Sequence, residues 1–292
     1  MTATSAVNAA EHIVAHPVTK RFVAEIAGVD LALPLSDEAY ARVLDHFHRY
    51  RIVLLRNQQI TPEELAAFGA RFGELEVHHL PDHLMQTLPQ VRIISNEVKD
   101  GKALGAARAG MYWHSDLSYK PRPALATLLY GIECPPVGGN TKFADMVAAY
   151  EALPEALKAK IRGRTHIRDR SYRYNEFYPN RPPLTPEQIA AVPPVEHPMV
   201  RVHPVTGELA LYISAGSCSH IVGMDVEEGR ALLRELEEFA TQPQFVYSHA
   251  WRKGDLVVWD NRVTLHCATS CQPPYRRTMQ RVQAIGEVPI AA

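Results

Sequence analysis

The stretch YWHSDLSY, residues 112–119, sets His114 and Asp116 two positions apart among aromatic side chains. In an extended segment, side chains at i and i+2 share a face, so this imidazole and carboxylate would look into one cavity while Ser115 turns away. Such a pair suits a divalent first-row metal, but two donors do not complete a site. A lone H-x-D pair is more usually a polar pair satisfied at a strand end, so the rest of the chain must choose.

A third donor has to be picked from 14 histidines. His266 has a context: it lies in WDNRVTLHCA, just after the apolar run LVVW, with Arg277 eleven residues further on. His220 and His249 have no such surroundings. His78, His79 and His83 crowd into HHLPDH, at a spacing that neither a strand nor a helix presents on one face. Taking His266 gives two imidazoles and one carboxylate, a facial set with three positions open, as in non-haem Fe(II) oxygenases. Cys267 and Cys271 beside His266 suggest zinc, yet no second paired cluster accompanies them.

The elements that must position these residues are partly readable. Residues 35–50 carry Tyr40, Val43, Leu44 and Phe47 at helical spacing behind a cap at Ser36. IVLLR (52–56) reads as a buried strand. TPEELAAFGARFG opens a helix with a capping box, Thr61 and Glu64, and Pro62 at the first helical position, and stops at Gly73. VRII (91–94) and ALATLLYG (124–131) read as strands. DGKALGAARAG (100–110) is a glycine- and alanine-rich loop leading into the H-x-D stretch, either a lid or an ordinary surface loop.

Residues 146–163 read as one or two short helices broken at Pro154 and closed by Gly163, and residues 175–194 as a proline-rich, aperiodic insertion or linker. MVRVH and LALYI form strands joined by the turn PVTGE. A helix over 226–240 starts from Asp225, followed by FVYSHAW, a KGD turn, LVVWD and RRTMQRVQAIG. There is no βαβ alternation, no phosphate-binding glycine loop and no internal repeat. The pattern predicts an α+β or β-sandwich core, with residues 1–292 as a single domain.

Composition narrows the function classes. Hydrophobic residues make up 46% and charged residues 22% of the 292, as in ordinary globular proteins. A formal net charge of -1 gives no electrostatic footprint for nucleic acid or an anionic membrane. No apolar run approaches the roughly 20 residues that span a bilayer. MTATSAVNAAEH lacks the charged and apolar regions of a secretory signal, and four cysteines make no disulfide framework, so the expected location is cytoplasmic.

WHSD, GGNTKFADM, VHPVTGELALYI, WDNRVTLH and RRTMQR, in that order and spacing, resemble the TauD/TfdA family of Fe(II)- and 2-oxoglutarate-dependent dioxygenases. The resemblance runs from IAGVDL (26–31) to the last strand-like segment. It implies a jelly-roll (double-stranded β-helix, cupin-like) core with flanking helices, and Fe(2+) held by His114, Asp116 and His266. It also implies that Thr141 and Arg277 bind the distal carboxylate of 2-oxoglutarate, and that Arg281 and His78 contact a small anionic substrate, a carboxylate or sulfonate. The cosubstrates would be 2-oxoglutarate and O2, with succinate and CO2 released. A carbon that bears a heteroatom would collapse to a carbonyl once hydroxylated. A homo-oligomer, dimer or tetramer, is the family expectation.

The chemistry of the residues agrees with these roles. A keto acid chelates iron through two oxygens, and its far carboxylate suits a guanidinium fork. On an extended strand Arg277, Met279 and Arg281 face one way, with the two arginines roughly 13 Å apart. The chain departs from the taurine-specific pattern in having Gly110, Met111 and Tyr112, without an asparagine, before the metal motif. Leu117 and Tyr119 add apolar and aromatic surface. Both point to a bulkier acid, such as an aryloxyalkanoate, over taurine. The alternatives are the same cofactor chemistry used for desaturation or natural-product tailoring, and a non-catalytic jelly-roll binding protein.

Overall fold

The computed structural model describes residues 8–77, 84–99, 101–105, 110–178 and 181–292. The backbone of the fold is a seven-stranded sheet. Its strand order is Val14–Pro17, Val23–Ala27, Ile52–Leu55, Leu256–Asp260, Ala124–Glu133, Thr278–Ile285 and Arg92–Ser95. Its strands come from both ends of the sequence. Smaller sheets complete a jelly roll, among them a three-stranded one with Thr141–Asp145 between Val246–His249 and Thr264–Ala268.

The buried strands alternate between two interiors. In IVLL, Val53 and Leu55 join the cluster formed with Val43, Phe47, Leu65 and Phe68 of the two N-terminal helices. Ile52 and Leu54 join the opposite cluster, with Val257, Trp259, Met279 and Phe143. Phe143 belongs to the small sheet, so this second cluster fills the space between the sheets. A third cluster seats the helices Met146–Ala152, Glu155–Ile161 and Val226–Ala240 against the small sheets. A strand covered on both faces has no polar alternation, which is why these runs read as continuously apolar.

The helix starts follow their caps. Ser36 accepts from Ala39 N and starts Asp37–Tyr50, while Thr61 and Glu64 form a capping box on Pro62–Ala70. Asp225 accepts from Glu227 N and Glu228 N at the head of Val226–Ala240.

Three expectations need correction. A βαβ unit is present: Val23–Ala27 and Ile52–Leu55 pair in parallel, joined through the Asp37–Tyr50 helix. The proline-rich stretch holds the helix Pro186–Ala190, started by a Thr185–Gln188 capping box, and overlaps Tyr174–Phe177. The H-x-D segment is not a continuous strand. His114 makes an isolated antiparallel bridge to His266, and the chain then turns through Leu117, whose φ is 54°.

Candidate functional site

The bridge sets the geometry. His114 N donates to His266 O at 3.0 Å and His266 N to His114 O at 2.8 Å, so the two rings lie side by side with centroids 4.1 Å apart. Asp116, two residues after His114, faces both rings. His114 Nε2 lies 3.7 Å from Asp116 Oδ1, and His266 Nε2 lies 3.7 Å from Asp116 Oδ2. These separations are too long for hydrogen bonds, but they suit donors sharing one ion at bonds of about 2 Å. All the donor atoms lie within 4.8 Å of one another.

Protonation states favour the same use. Burial pushes the His266 imidazole down to about 3, with the neighbouring His114 adding to the effect. Burial lowers His114 too, against the pull of Asp116. A neutral imidazole keeps the lone pair that a metal needs. His114 Nδ1 is 2.7 Å from the Tyr112 carbonyl, which makes it the protonated nitrogen and leaves Nε2 as donor. His266 Nδ1 is buried without a protein partner. Burial raises the Asp116 carboxyl, but His266, Arg281, His114 and the Thr127 hydroxyl outweigh it and hold it well below the usual carboxylate range.

A closed set of hydrogen bonds holds Asp116. Thr127 Oγ1 donates to Asp116 Oδ2 at 2.7 Å and accepts from Asn261 Nδ2 at 2.8 Å. Asn261 Oδ1 in turn accepts from Asp116 N at 3.1 Å and from Trp259 Nε1 at 3.0 Å. Ser115 Oγ donates to the Asn261 carbonyl at 2.7 Å. Asn261 sits in the turn after Leu256–Asp260, anchored by buried Asp260. That carboxylate accepts from Arg262 Nε at 2.8 Å and Arg262 NH2 at 2.6 Å, with His203 Nε2 2.9 Å away. Sequence reasoning missed Thr127, Asn261 and Trp259 as positioning residues. A threonine inside the apolar run ALATLLY and an asparagine inside WDNRVTLH were the available signals.

Two cavities open onto the triad. The smaller is lined by His114 and His266 together with Thr141, Trp259, Arg277 and Arg281. Arg277 is 9% exposed and no carboxylate pairs with it among the described residues. Its Nε donates to the Gly139 carbonyl at 2.9 Å, leaving both terminal nitrogens for an outside anion. Gly139 has φ 64°, and a Cβ there would lie 2.9 Å from Arg277 Cδ, so glycine permits the close approach. Trp251 Nε1 donates to Thr141 Oγ1 at 3.0 Å, which orients the hydroxyl. Trp251 is a further residue that sequence reasoning missed. A buried cation without a counter-charge, beside a metal-competent triad, fits a molecule with a chelating end and a carboxylate tail.

The larger cavity is lined by Asp116, Leu117, Tyr119 and Arg281, with Tyr112 and Phe177 on one wall. Tyr112 and Phe177 stack with centroids 3.9 Å apart, and Tyr112 also leans on His114 at 4.9 Å. Arg281 NH1 lies 3.5 Å from Asp116 Oδ1. The expected metal and cosubstrate residues are thus brought together, and Leu117, Tyr119 and Arg281 share one chamber. His78 lies outside the described residues.

A jelly roll with this donor set and a cationic recess beside it defines a 2-oxoglutarate-dependent non-haem iron oxygenase, and comparison with known proteins agrees. Residues 15–283 match the family described as Taurine catabolism dioxygenase TauD, TfdA family. The chain is 36% identical over 284 residues to an alpha-ketoglutarate-dependent 2,4-dichlorophenoxyacetate dioxygenase from Burkholderia sp. (strain RASC), covering 93% of each. It is 34% identical over 252 residues to pentalenolactone F synthase from Streptomyces arenae, covering 82% of this chain and 84% of that one. Among solved structures, AAD-2 in complex with Mn(II) and N-oxalylglycine superimposes with a TM-score of 0.81 at 34% identity, over 95% of this chain and 98% of that one. The chain belongs to the TauD/TfdA family and is an Fe(II)- and 2-oxoglutarate-dependent dioxygenase.

Proposed function

We propose that this dioxygenase hydroxylates a small organic acid of the aryloxyalkanoate type, with release of the aryl group where the hydroxylated carbon bears the ether oxygen. The observation that carries the reading is one chamber holding three features: the triad, Arg281, and the stacked Tyr112–Phe177 wall. An aromatic wall favours an aryl body, and a guanidinium favours an acid head. The identity to a 2,4-dichlorophenoxyacetate dioxygenase supports the same class.

His114, Asp116 and His266 are assigned to Fe(II), and Thr141 and Arg277 to the far carboxylate of 2-oxoglutarate. Arg281, Leu117 and Tyr119 are assigned to the substrate. Bound iron, with 2-oxoglutarate and O2, supplies the oxidising power for C–H hydroxylation. The chain's own residues bind, orient and exclude water. Thr127 and Asn261 fix the carboxylate, the Tyr112 carbonyl fixes the His114 tautomer, and the stacked Tyr112–Phe177 wall offers an apolar face beside the triad.

Succinate release with iron, ascorbate and 2-oxoglutarate is the test. Phenoxyacetate-type acids should stimulate it well above the substrate-free rate, and taurine should not. Stimulation by taurine but by no aryloxyalkanoate would overturn the substrate class. Natural-product tailoring is the second reading, favoured by the identity to pentalenolactone F synthase. Product analysis separates it, because tailoring retains the carbon skeleton that ether cleavage splits.

A single domain is supported by the sheet that joins strands from both chain ends. A cytoplasmic location accords with four free cysteines, and no described helix is long and apolar enough to cross a membrane. A homo-oligomer, dimer or tetramer, is proposed from the family resemblance and is checked by light scattering.

A further inference from the structure

We propose that Arg92 is a second anion-reading arm of the substrate chamber, so that the acid head is gripped between Arg92 and Arg281. This rests on the chamber being the seat of a small acid.

Arg92 is the charged residue in the otherwise apolar run VRII. It opens the strand Arg92–Ser95 at the end of the seven-stranded sheet, where the register sets it directly across from Arg281. Both side chains line the substrate chamber. Like charges directly opposite on antiparallel strands destabilise a sheet. Here the cost is greater because both are withdrawn from water: Arg92 is 8% exposed, and among the described residues neither Arg92 Nε nor Arg281 Nε has a hydrogen-bond partner.

Among the described residues, no side chain supplies the missing negative charge to Arg92. The carboxylate that reaches Arg281 is Asp116, a proposed metal donor. The other acid of the chamber, Asp169, is bound locally by the Ser171 amide and hydroxyl at 2.8 and 2.6 Å. Burial, with Arg281 and Arg181 nearby, pulls the Arg92 guanidinium down to about 10, so it stays charged at neutral pH.

An oxyanion head accepting from both forks relieves the repulsion and fills the unmet donors together. A neutral isostere of the same shape does neither. The pair is therefore a selectivity device for acids over their neutral analogues, a use of buried charge that lowers stability until the ligand arrives.

The test uses enzyme loaded anaerobically with iron and saturating 2-oxoglutarate, so that Arg277 is occupied, and titrated calorimetrically with phenoxyacetate and neutral phenoxyacetamide. Wild type should prefer the acid. Arg92→Gln should weaken the acid on the order of 10- to 100-fold while leaving the amide and 2-oxoglutarate affinities within about twofold. It should also raise Tm, because a cross-strand repulsion is gone. Arg92→Lys should recover part of the acid affinity, keeping the charge but losing the fork. Unchanged acid binding, equal losses for acid and amide, or a fall in Tm with loss of 2-oxoglutarate binding would each overturn the proposal. So would a wild type that does not distinguish acid from amide. A wild type that does distinguish them but releases no succinate with any acid leaves the two-arginine head site standing and overturns the reaction reading instead.

Discussion

Thr127 shows how much a single hydroxyl can decide. It is fully buried, donates to Asp116 Oδ2 and accepts from Asn261, so it fixes which way the carboxylate plane faces. Outer partners of this kind typically tune metal affinity 10- to 100-fold. Thr127→Val keeps the shape and removes the hydroxyl, so Fe(II) affinity should drop by about that factor in an anaerobic titration. Unchanged affinity would mean that Asn261 and Arg281 orient Asp116 without it. At this scale the sequence was informative where residue types are chemically distinctive. His114, Asp116 and His266 converge as expected, and Arg277 and Thr141 share a cavity. Thr127, Trp251 and Arg92 were not legible, because their roles come from partners far away in sequence: Thr127 lies 134 residues from Asn261 and Trp251 lies 110 from Thr141.

The elements were legible where their signals are local. Caps and capping boxes announced three helix starts, and apolar runs announced the inner strands. What failed were relations between elements. The parallel pairing of Val23–Ala27 with Ile52–Leu55 depends on a strand with no distinctive pattern, and the bridge between His114 and His266 joins two segments that each look irregular. The expectation that His114 and Asp116 share a cavity held, and the chain turns through Leu117 only once both are in place. The turn after Leu256–Asp260 matters in the same way, since it carries Asn261. Asp260 and Arg262 are both fully buried and bound to each other, and removing one partner of such a pair costs about 3–5 kcal/mol. Arg262→Leu should destabilise the protein by that amount in urea unfolding and weaken iron binding as Asn261 shifts. A loss below about 1 kcal/mol would show that His203 holds the turn alone.

Across the whole molecule, two sheets flank the site while the helices pack on their outer faces, so the triad sits deep between packed layers. The same burial gives the protein an acid weakness. His166 is fully buried with neither ring nitrogen partnered, and burial with Arg168 beside it lowers its pKa well below the usual range. Burial, then Arg168, bring His197 down to about 4. The unfolded chain takes up protons at these sites as pH falls through about 6.5, and the folded chain does not, so stability is full above that pH and lost below it. Tm of the metal-free protein should fall by several degrees from pH 6.5 to 5, and His166→Phe should flatten that slope; an equal slope in both would place the lability elsewhere. His114, Asp116 and His266 are assigned to the iron that drives 2-oxoglutarate turnover, and iron titration of a ligand variant tests that assignment. Fe(II) is titrated anaerobically into wild type and into the double variant His114→Ala with Asp116→Ala, followed by succinate assay in air with phenoxyacetate. Wild type should bind one iron per chain and release succinate, and the double variant should do neither. Stoichiometric iron and 2-oxoglutarate-dependent succinate from the double variant would contradict the assignment.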